Sequence, residues 1–262
     1  MIIYGINSVR EALQSKTNRP DHIWVTRGKT NPRLQQILQL AKRQQVPVRL
    51  ESTQTLTKKA RTRDHQDVAG EILEVGYTDF KDLVQAKPTL LLMVDGVEDP
   101  RNLGALLRTA EATGVEGVLI PHRRSCSITP TVVKSSAGGA IHLRISRIGN
   151  VVQALEELKR QGFWVVGLDM QGDHSMEEID AGGLTVVVVG GEHQGLRKLV
   201  RKHCDFLVSL PMKGRVSSLN LSVAAGVLLY EIVRKRLKGE TADHRQKIVI
   251  PAVRQKIRVP KP

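Results

Sequence analysis

Aromatic side chains are scarce in this chain, at three Phe, three Tyr and two Trp among 262 residues. A surface that grips single-stranded nucleic acid mainly by stacking on bases needs more of them, so charge and shape must hold any polyanionic partner. Cysteine is scarcer still. Cys126 and Cys204 alone exclude a disulfide framework and a zinc site of the CxxC kind, and they read as ordinary reduced thiols. No run approaches the roughly 18 apolar residues of a membrane span. The opening MIIYGINSVREAL lacks the basic-then-apolar pattern of a signal peptide, so a cytoplasmic protein is expected. Acidic residues are also in deficit, with 26 Asp and Glu against 40 Lys and Arg, a net charge of +14. Such a surplus suits a polyanion, and nucleic acid is the usual one.

An apolar content of 40% is enough for a full core, and the length suits one large domain or two smaller ones. The first 76 residues alternate helical and strand patterns. SVREALQS (8–15) carries Val9, Ala12 and Leu13 at helical spacing, and PRLQQILQLAKRQQ (32–45) reads as an amphipathic helix. HIWVTR (22–27), VPVRLES (46–52) and DVAGEILEV (67–75) read as strands. The basic, polar TLTKKARTRDHQD (55–67) fits either an RNA contact or a solvated face.

A bridge at 77–88 leads to a second unit, 89–238. There TLLLMVD (89–95), GVLIP (117–121), FWVVGLD (163–169), TVVVVGG (185–191) and FLVSLP (206–211) are short, continuous apolar runs. Such runs suit strands buried on both faces of a parallel sheet. Helical segments at about 102–114, 149–161, 195–203 and 218–238 lie between or after them, which makes a doubly wound α/β layout. From 239 to 262 the chain turns basic and, beyond Pro251, proline-rich. Ten Lys or Arg face Glu240 and Asp243 between Arg234 and Pro262. This stretch reads as a disordered tail able to follow a phosphate backbone.

Ligands of α/β sheets sit beyond the carboxyl ends of strands, which directs attention to three loops. The first, GVEDPRNLGALLRTAEATGV (96–115), opens a helix at Pro100 and Asn102. Gly104 permits close approach of another backbone, and Arg108 lies six residues past Asn102, which is not a same-face spacing. Asn102 and Arg108 are either a helix cap and a surface cation or, if the loop folds over, convergent site residues. The second loop, GGEHQGL (190–196), pairs adjacent glycines with Glu192 and does not fit a dinucleotide fingerprint. The third is MKGRVSSLNLSVAAG (212–226). Ser217 or Ser218 suits an N-cap, which leaves Asn220 unexplained inside an apolar helix.

Taken together, DPRNLGALLRTAEATGV, VVVVGGEHQGL and LPMKGRVSSLNLSVAAGVLLYE resemble, in order and spacing, the signature motifs of the SpoU family of RNA ribose 2′-O-methyltransferases. The resemblance covers about residues 89–237 and implies a trefoil-knotted α/β domain. It also implies S-adenosylmethionine as cofactor, a homodimer, and no metal. By motif match, Gly190, Leu210, Met212 and Leu219 are expected to line the cofactor site, and Asn102, Arg108, Glu192, Ser218 and Asn220 fall on catalytic positions. The N-terminal 1–76 looks like the L30e-like substrate-binding domain of the rRNA branch, whose members include guanosine methyltransferases of 23S rRNA. The chain departs from the family at Asp67, where a glycine is usual. Two alternatives stand beside rRNA methylation: a tRNA ribose methyltransferase, and a non-catalytic ribosome-associated RNA-binding protein.

Overall fold

The computed structural model describes residues 1–179, 182–192 and 194–247, with side chains to residue 238. The N-terminal unit comprises β1 (Ile2–Tyr4), α1 (Ile6–Gln14), β2 (His22–Thr26), α2 (Pro32–Arg43), β3 (Val48–Glu51), α3 (Thr53–Ala60) and β4 (Val68–Glu71). Its sheet runs β1-β4-β2-β3, with β4 antiparallel to both neighbours and β2 parallel to β3. Val9, Ala12 and Leu13 of α1 pack with Leu34, Ile37 and Ala41 of α2 over Ile3, Ile23 and Val25 of the sheet. The helical spacing read from the sequence produces that face.

Some details go beyond the sequence reading. The basic segment from Thr55 contains α3, begun by Ser52, whose hydroxyl accepts from the Thr55 N–H at 3.1 Å. β4 ends at Glu71 rather than at Val75, because beyond Ile72 the chain leaves the sheet edge. Asp67 sits at φ 62°, in the left-handed region that glycine enters freely and Asp tolerates. The substitution therefore keeps a glycine-like backbone at that turn.

After α4 (Phe80–Gln85), the second unit comprises β5 (Leu90–Asp95), α5 (Pro100–Ala112), β6 (Gly117–Pro121), α6 (Pro130–Ser135), β7 (Ile145–Ile148), α7 (Val151–Arg160), β8 (Trp164–Leu168), β9 (Thr185–Gly190), α8 (Lys198–His203), β10 (Phe206–Val208) and α9 (Leu221–Lys247). The bridge thus carries a helix, with Leu83 buried in the core beside Leu91 and Leu119. The sheet is wholly parallel, in the order β10-β8-β9-β5-β6-β7. Every residue of β5, β6 and β9 is buried, as continuous apolar strands between two helix layers should be. β7, which the sequence reading did not find, is the edge strand ISRI, with Arg147 half-buried and its other three residues buried. No helix among the described residues is long and apolar enough to cross a membrane.

From β5 the chain winds outward to β6 and β7, then returns across the sheet to β8 and places β9 against β5. The connections leaving β5 and β9 therefore diverge, and the crevice between them is the topological switch point where such sheets bind ligands. α5 packs tightly on α6 because Gly104 has no side chain; a Cβ there would collide with Ser135. α9 lays Ala225, Leu228, Leu229 and Ile232 into the core, and Lys235 fastens it by donating to the carbonyls of Met176, Glu177 and Ile179 at 2.7–2.9 Å. The helix continues to Lys247, past Gly239 where the sequence reading placed the start of a disordered tail. Residues 240–247, ETADHRQK, contain no proline to stop it. The remainder of that tail, 248–262, lies outside the described residues.

The two units touch. Val133 of α6 and Ile141 join the N-terminal core, Ser8 Oγ donates to the Val133 carbonyl at 3.3 Å, and Asn18 Nδ2 to the Ile141 carbonyl at 3.2 Å.

Candidate active site

At the switch point, three of the five residues carried by the motifs meet in one hydrogen-bonded chain. Asn102 Nδ2 donates to Glu192 Oε1 at 2.8 Å, and Asn220 Nδ2 donates to Asn102 Oδ1 at 3.1 Å. Asn220 Oδ1 then accepts from the Ser222 amide at 2.9 Å and from its hydroxyl at 2.6 Å. The direction of the chain is fixed at both ends. A carboxylate only accepts and a main-chain N–H only donates, so each amide between them must point its nitrogen toward Glu192. The residues are 118 positions apart in sequence at their extremes, Asn102 and Asn220.

Local structure explains why these side chains are available. Asp99, not Asn102, caps α5, its carboxylate accepting from the Arg101 N–H at 2.7 Å. With Pro100 filling the first helical position, Asn102 is released from capping and lies on the first turn, within reach of Glu192 in the loop after β9. Asn220 precedes α9 and caps it through Ser222. The expectation that Ser217 or Ser218 caps that helix fails, because the helix starts at Leu221 and a cap must immediately precede it. Ser217 and Ser218 lie in the exposed stretch before it and, among the described residues, make no hydrogen bond. Arg108 is exposed on α5 and forms no side-chain hydrogen bond or ion pair among the described residues. Six residues past Asn102, it projects from another side of the helix.

Of the residues expected at the cofactor, Gly190 ends β9, and Leu210, Met212 and Leu219 lie in the stretch between β10 and α9. Gly190 is buried as the last residue of β9, and a Cβ there would collide with the Gly195 backbone as the loop folds back over the strand. Leu210 is half-buried, whereas Met212 is 38% and Leu219 44% exposed. Among the described residues, the main chain from 210 to 219 makes no hydrogen bond to another part of the protein. Apolar side chains at water and an uncommitted main chain fit an adenosine, which needs an apolar face to lie on and polar backbone groups at its edge.

One pair escaped the sequence reading. Asp95 ends β5 and is 2% exposed; Arg197 Nε donates to its Oδ1 at 2.7 Å and the Arg197 amide to its Oδ2 at 3.2 Å. This ion pair ties the far end of the Glu192 loop to the central strand. Its only signal in the sequence is a carboxylate closing an otherwise apolar strand. Beside the pair lies a cavity of about 650 Å³ reaching Asn102 and Glu192.

Residues 89–230 match the model of the SpoU rRNA Methylase family. The chain belongs to the SpoU rRNA methylase family. Residues 2–78 match a second model, that of RNA 2′-O ribose methyltransferase substrate binding. A Xylella fastidiosa protein named 23S rRNA (guanosine-2′-O-)-methyltransferase RlmB is 42% identical over 239 residues, covering 89% of this chain and 96% of its own. The RlmB of Pseudomonas putida is 40% identical with the same coverage. A Bacillus subtilis relative named only to the TrmH family of tRNA/rRNA methyltransferases, YacO, is 37% identical over 89% of this chain and 95% of its own. A crystal structure of an RNA 2′-O ribose methyltransferase is 28% identical and superposes with a TM-score of 0.72, covering 90% of this chain and 89% of its own. The SpoU methyltransferase AviRb of Streptomyces viridochromogenes, solved with AdoMet, shares the fold at a TM-score of 0.74 and 23% identity, with 91% of each chain covered.

Proposed function

We propose that this protein transfers a methyl group from S-adenosylmethionine to the 2′-hydroxyl of a guanosine ribose in 23S rRNA. The observation that carries the reading is the Glu192–Asn102–Asn220 chain at the switch point. It joins the three motif loops at one place, and RlmB relatives at 40% identity and above support the rRNA substrate.

When bound, S-adenosylmethionine supplies a sulfonium-activated methyl carbon, so the protein needs no metal and has two tasks, positioning and charge stabilisation. Gly190, Leu210, Met212 and Leu219 hold the cofactor, the last two by the apolar surface they offer to water. Glu192 orients Asn102, and each amide in the chain keeps one N–H free to donate to a ribose oxygen. Ser218, free in the adjoining loop, adds a hydroxyl to the same wall. Arg108 carries a guanidinium that stays protonated in proteins. Because it leaves α5 on another side than Asn102, its role, to hold the backbone phosphate and to stabilise the alkoxide that develops as the hydroxyl attacks, requires the RNA to reach across that turn of the helix.

Residues 1–76 form an L30e-like RNA-binding domain, 77–88 its connection, and 89–238 the catalytic domain. The chain threads a trefoil knot, a reading supported by α9 packing under β8 and β9 after β10 has closed the sheet edge. The protein works as a homodimer in the cytoplasm. Support for the dimer comes from α9, where Val223, Val227 and Tyr230 are 41–55% exposed at helical spacing along one stripe.

Mapping ribose methylation across rRNA and tRNA, with and without the protein, tests the reading. Loss of a single 23S rRNA signal is expected, and loss of a tRNA signal alone overturns the choice of substrate. Arg108→Ala and Arg108→Lys should lower kcat far more than RNA affinity, as removal of a transition-state interaction does. Near-normal turnover by either removes Arg108 from the site. Calorimetry with S-adenosylmethionine that gives no heat favours a non-catalytic RNA binder.

A further inference from the structure

The cavity beside the catalytic chain has a charged wall whose members fall into two groups. One group is already engaged. Asp95 and Arg197 neutralise each other, Asp99 caps α5, and Glu192 holds Asn102. The other group is Glu98, Arg123 and Arg124, all lining the cavity and all exposed to it. None of the three makes a hydrogen bond or ion pair with a described residue. An uncommitted carboxylate from the β5–α5 loop thus shares the cavity with two uncommitted guanidinium groups from the β6–α6 loop. Arg124 also holds φ 59°, in the left-handed region that non-glycine residues seldom occupy.

Free donors and a free acceptor in one cavity, adjoining a site that works on ribose, suit a nucleobase. At about 650 Å³ the volume is within the range of small-ligand pockets. Guanine is the base that matches both sides. Its Watson–Crick edge carries two adjacent donors, N1–H and N2–H₂, which a carboxylate accepts together. Its other edge carries two adjacent acceptors, O6 and N7, the usual bidentate partner of arginine. Adenine turns an unprotonated N1 toward the carboxylate, cytosine an unprotonated N3, and uracil flanks its one donor with two carbonyls.

Resting on the reading of the site as a ribose methyltransferase, we propose that this cavity receives the target base and selects guanine. Glu98 accepts from N1 and N2, and the Arg123–Arg124 pair donates to O6 and N7. The chemistry at the sugar is blind to the base, so specificity has to be built outside the Asn102–Asn220 chain, and this cavity is where it lies.

The test uses the full-length protein, S-adenosylmethionine and a short RNA carrying the mapped position as guanosine, inosine or 7-deazaguanosine. Inosine lacks the N2 amine and 7-deazaguanosine lacks the N7 acceptor. The wild type should lose on the order of 10- to 100-fold in kcat/KM on each analogue, the range for one bidentate base contact. Glu98→Ala should lose a similar factor on guanosine and cease to distinguish guanosine from inosine, while still discriminating against 7-deazaguanosine. Joint replacement of Arg123 and Arg124 by Ala should do the converse. A purely structural role lowers all substrates together and leaves their ratios intact, so an unchanged guanosine-to-inosine ratio in Glu98→Ala overturns the proposal. Cofactor affinity by calorimetry checks the fold; if Glu98→Ala loses it, Glu98→Gln is measured by the same ratio. A wild type that methylates no guanosine RNA brings down the methyltransferase reading itself, a result distinct from intact activity without base discrimination.

Discussion

The Asp95–Arg197 pair makes a prediction that depends on which partner is removed. The Asp95 side chain is fully shielded, whereas that of Arg197 is 40% exposed. Arg197→Ala therefore removes the cation from a shielded carboxylate, and breaking a buried pair from that side costs about 3–5 kcal/mol. The residue 197 amide still donates to Oδ2 at 3.2 Å, which places the expected loss near the lower end, about 3 kcal/mol. Domains are stable by only about 5–15 kcal/mol, so the loss is large. Asp95→Asn keeps the shape and frees a guanidinium that water can reach, so it should cost about 1–2 kcal/mol. In the double variant no charge is stranded, and much of the Arg197→Ala loss should return. Urea unfolding followed by circular dichroism at constant pH and salt gives the three values. The reasoning is refuted if Arg197→Ala is no worse than Asp95→Asn, or if the double variant is as unstable as Arg197→Ala.

Three further outcomes are expected. Burial pushes the Cys204 thiol from the usual 9.0 up to about 12, so it is protonated in the folded chain where the unfolded chain ionises. Its contribution to stability is present below pH 9 and is lost as pH rises from 9 to 12. Cys204→Ala should flatten the stability profile in that window, and an identical slope would refute it. Val227→Glu with Tyr230→Glu should convert a dimer into a species near the 29.0 kDa of one chain by light scattering; a wild type that is itself monomeric ends the dimer reading. Deleting residues 248–262 removes Arg254, Lys256, Arg258 and Lys261 with no acidic residue. The slope of log affinity against log salt for RNA should then shrink by up to about 3, at roughly 0.7 per phosphate contact on a single strand, and an unchanged slope makes the segment a bystander.

The sequence by itself determined the layers. Short, Val-rich apolar runs such as TVVVVG mark strands buried on two faces, and the helical spacing of Val9, Ala12 and Leu13 marks a helix with one buried side. The three motif loops were legible too, because residues that crowd a backbone or a ligand leave local marks, as Gly104 and Gly190 do. Edge elements were not. β7 (ISRI) and α3 (TQTLTKKA) are too short and carry too few apolar residues to show a period, and neighbours fixed them. Side-chain partnership was likewise decided only by tertiary structure. Whether Asn102 caps a helix or serves the site depends on Asp99 taking the cap and on Glu192, 90 residues away, arriving beside it. The same holds for Asp95 with Arg197, and for the cavity that Glu98 shares with Arg123 and Arg124. A hydrogen bond depends on ångström-scale distance, and the order of strands in the sheet, which sets those distances, is a property of the whole chain.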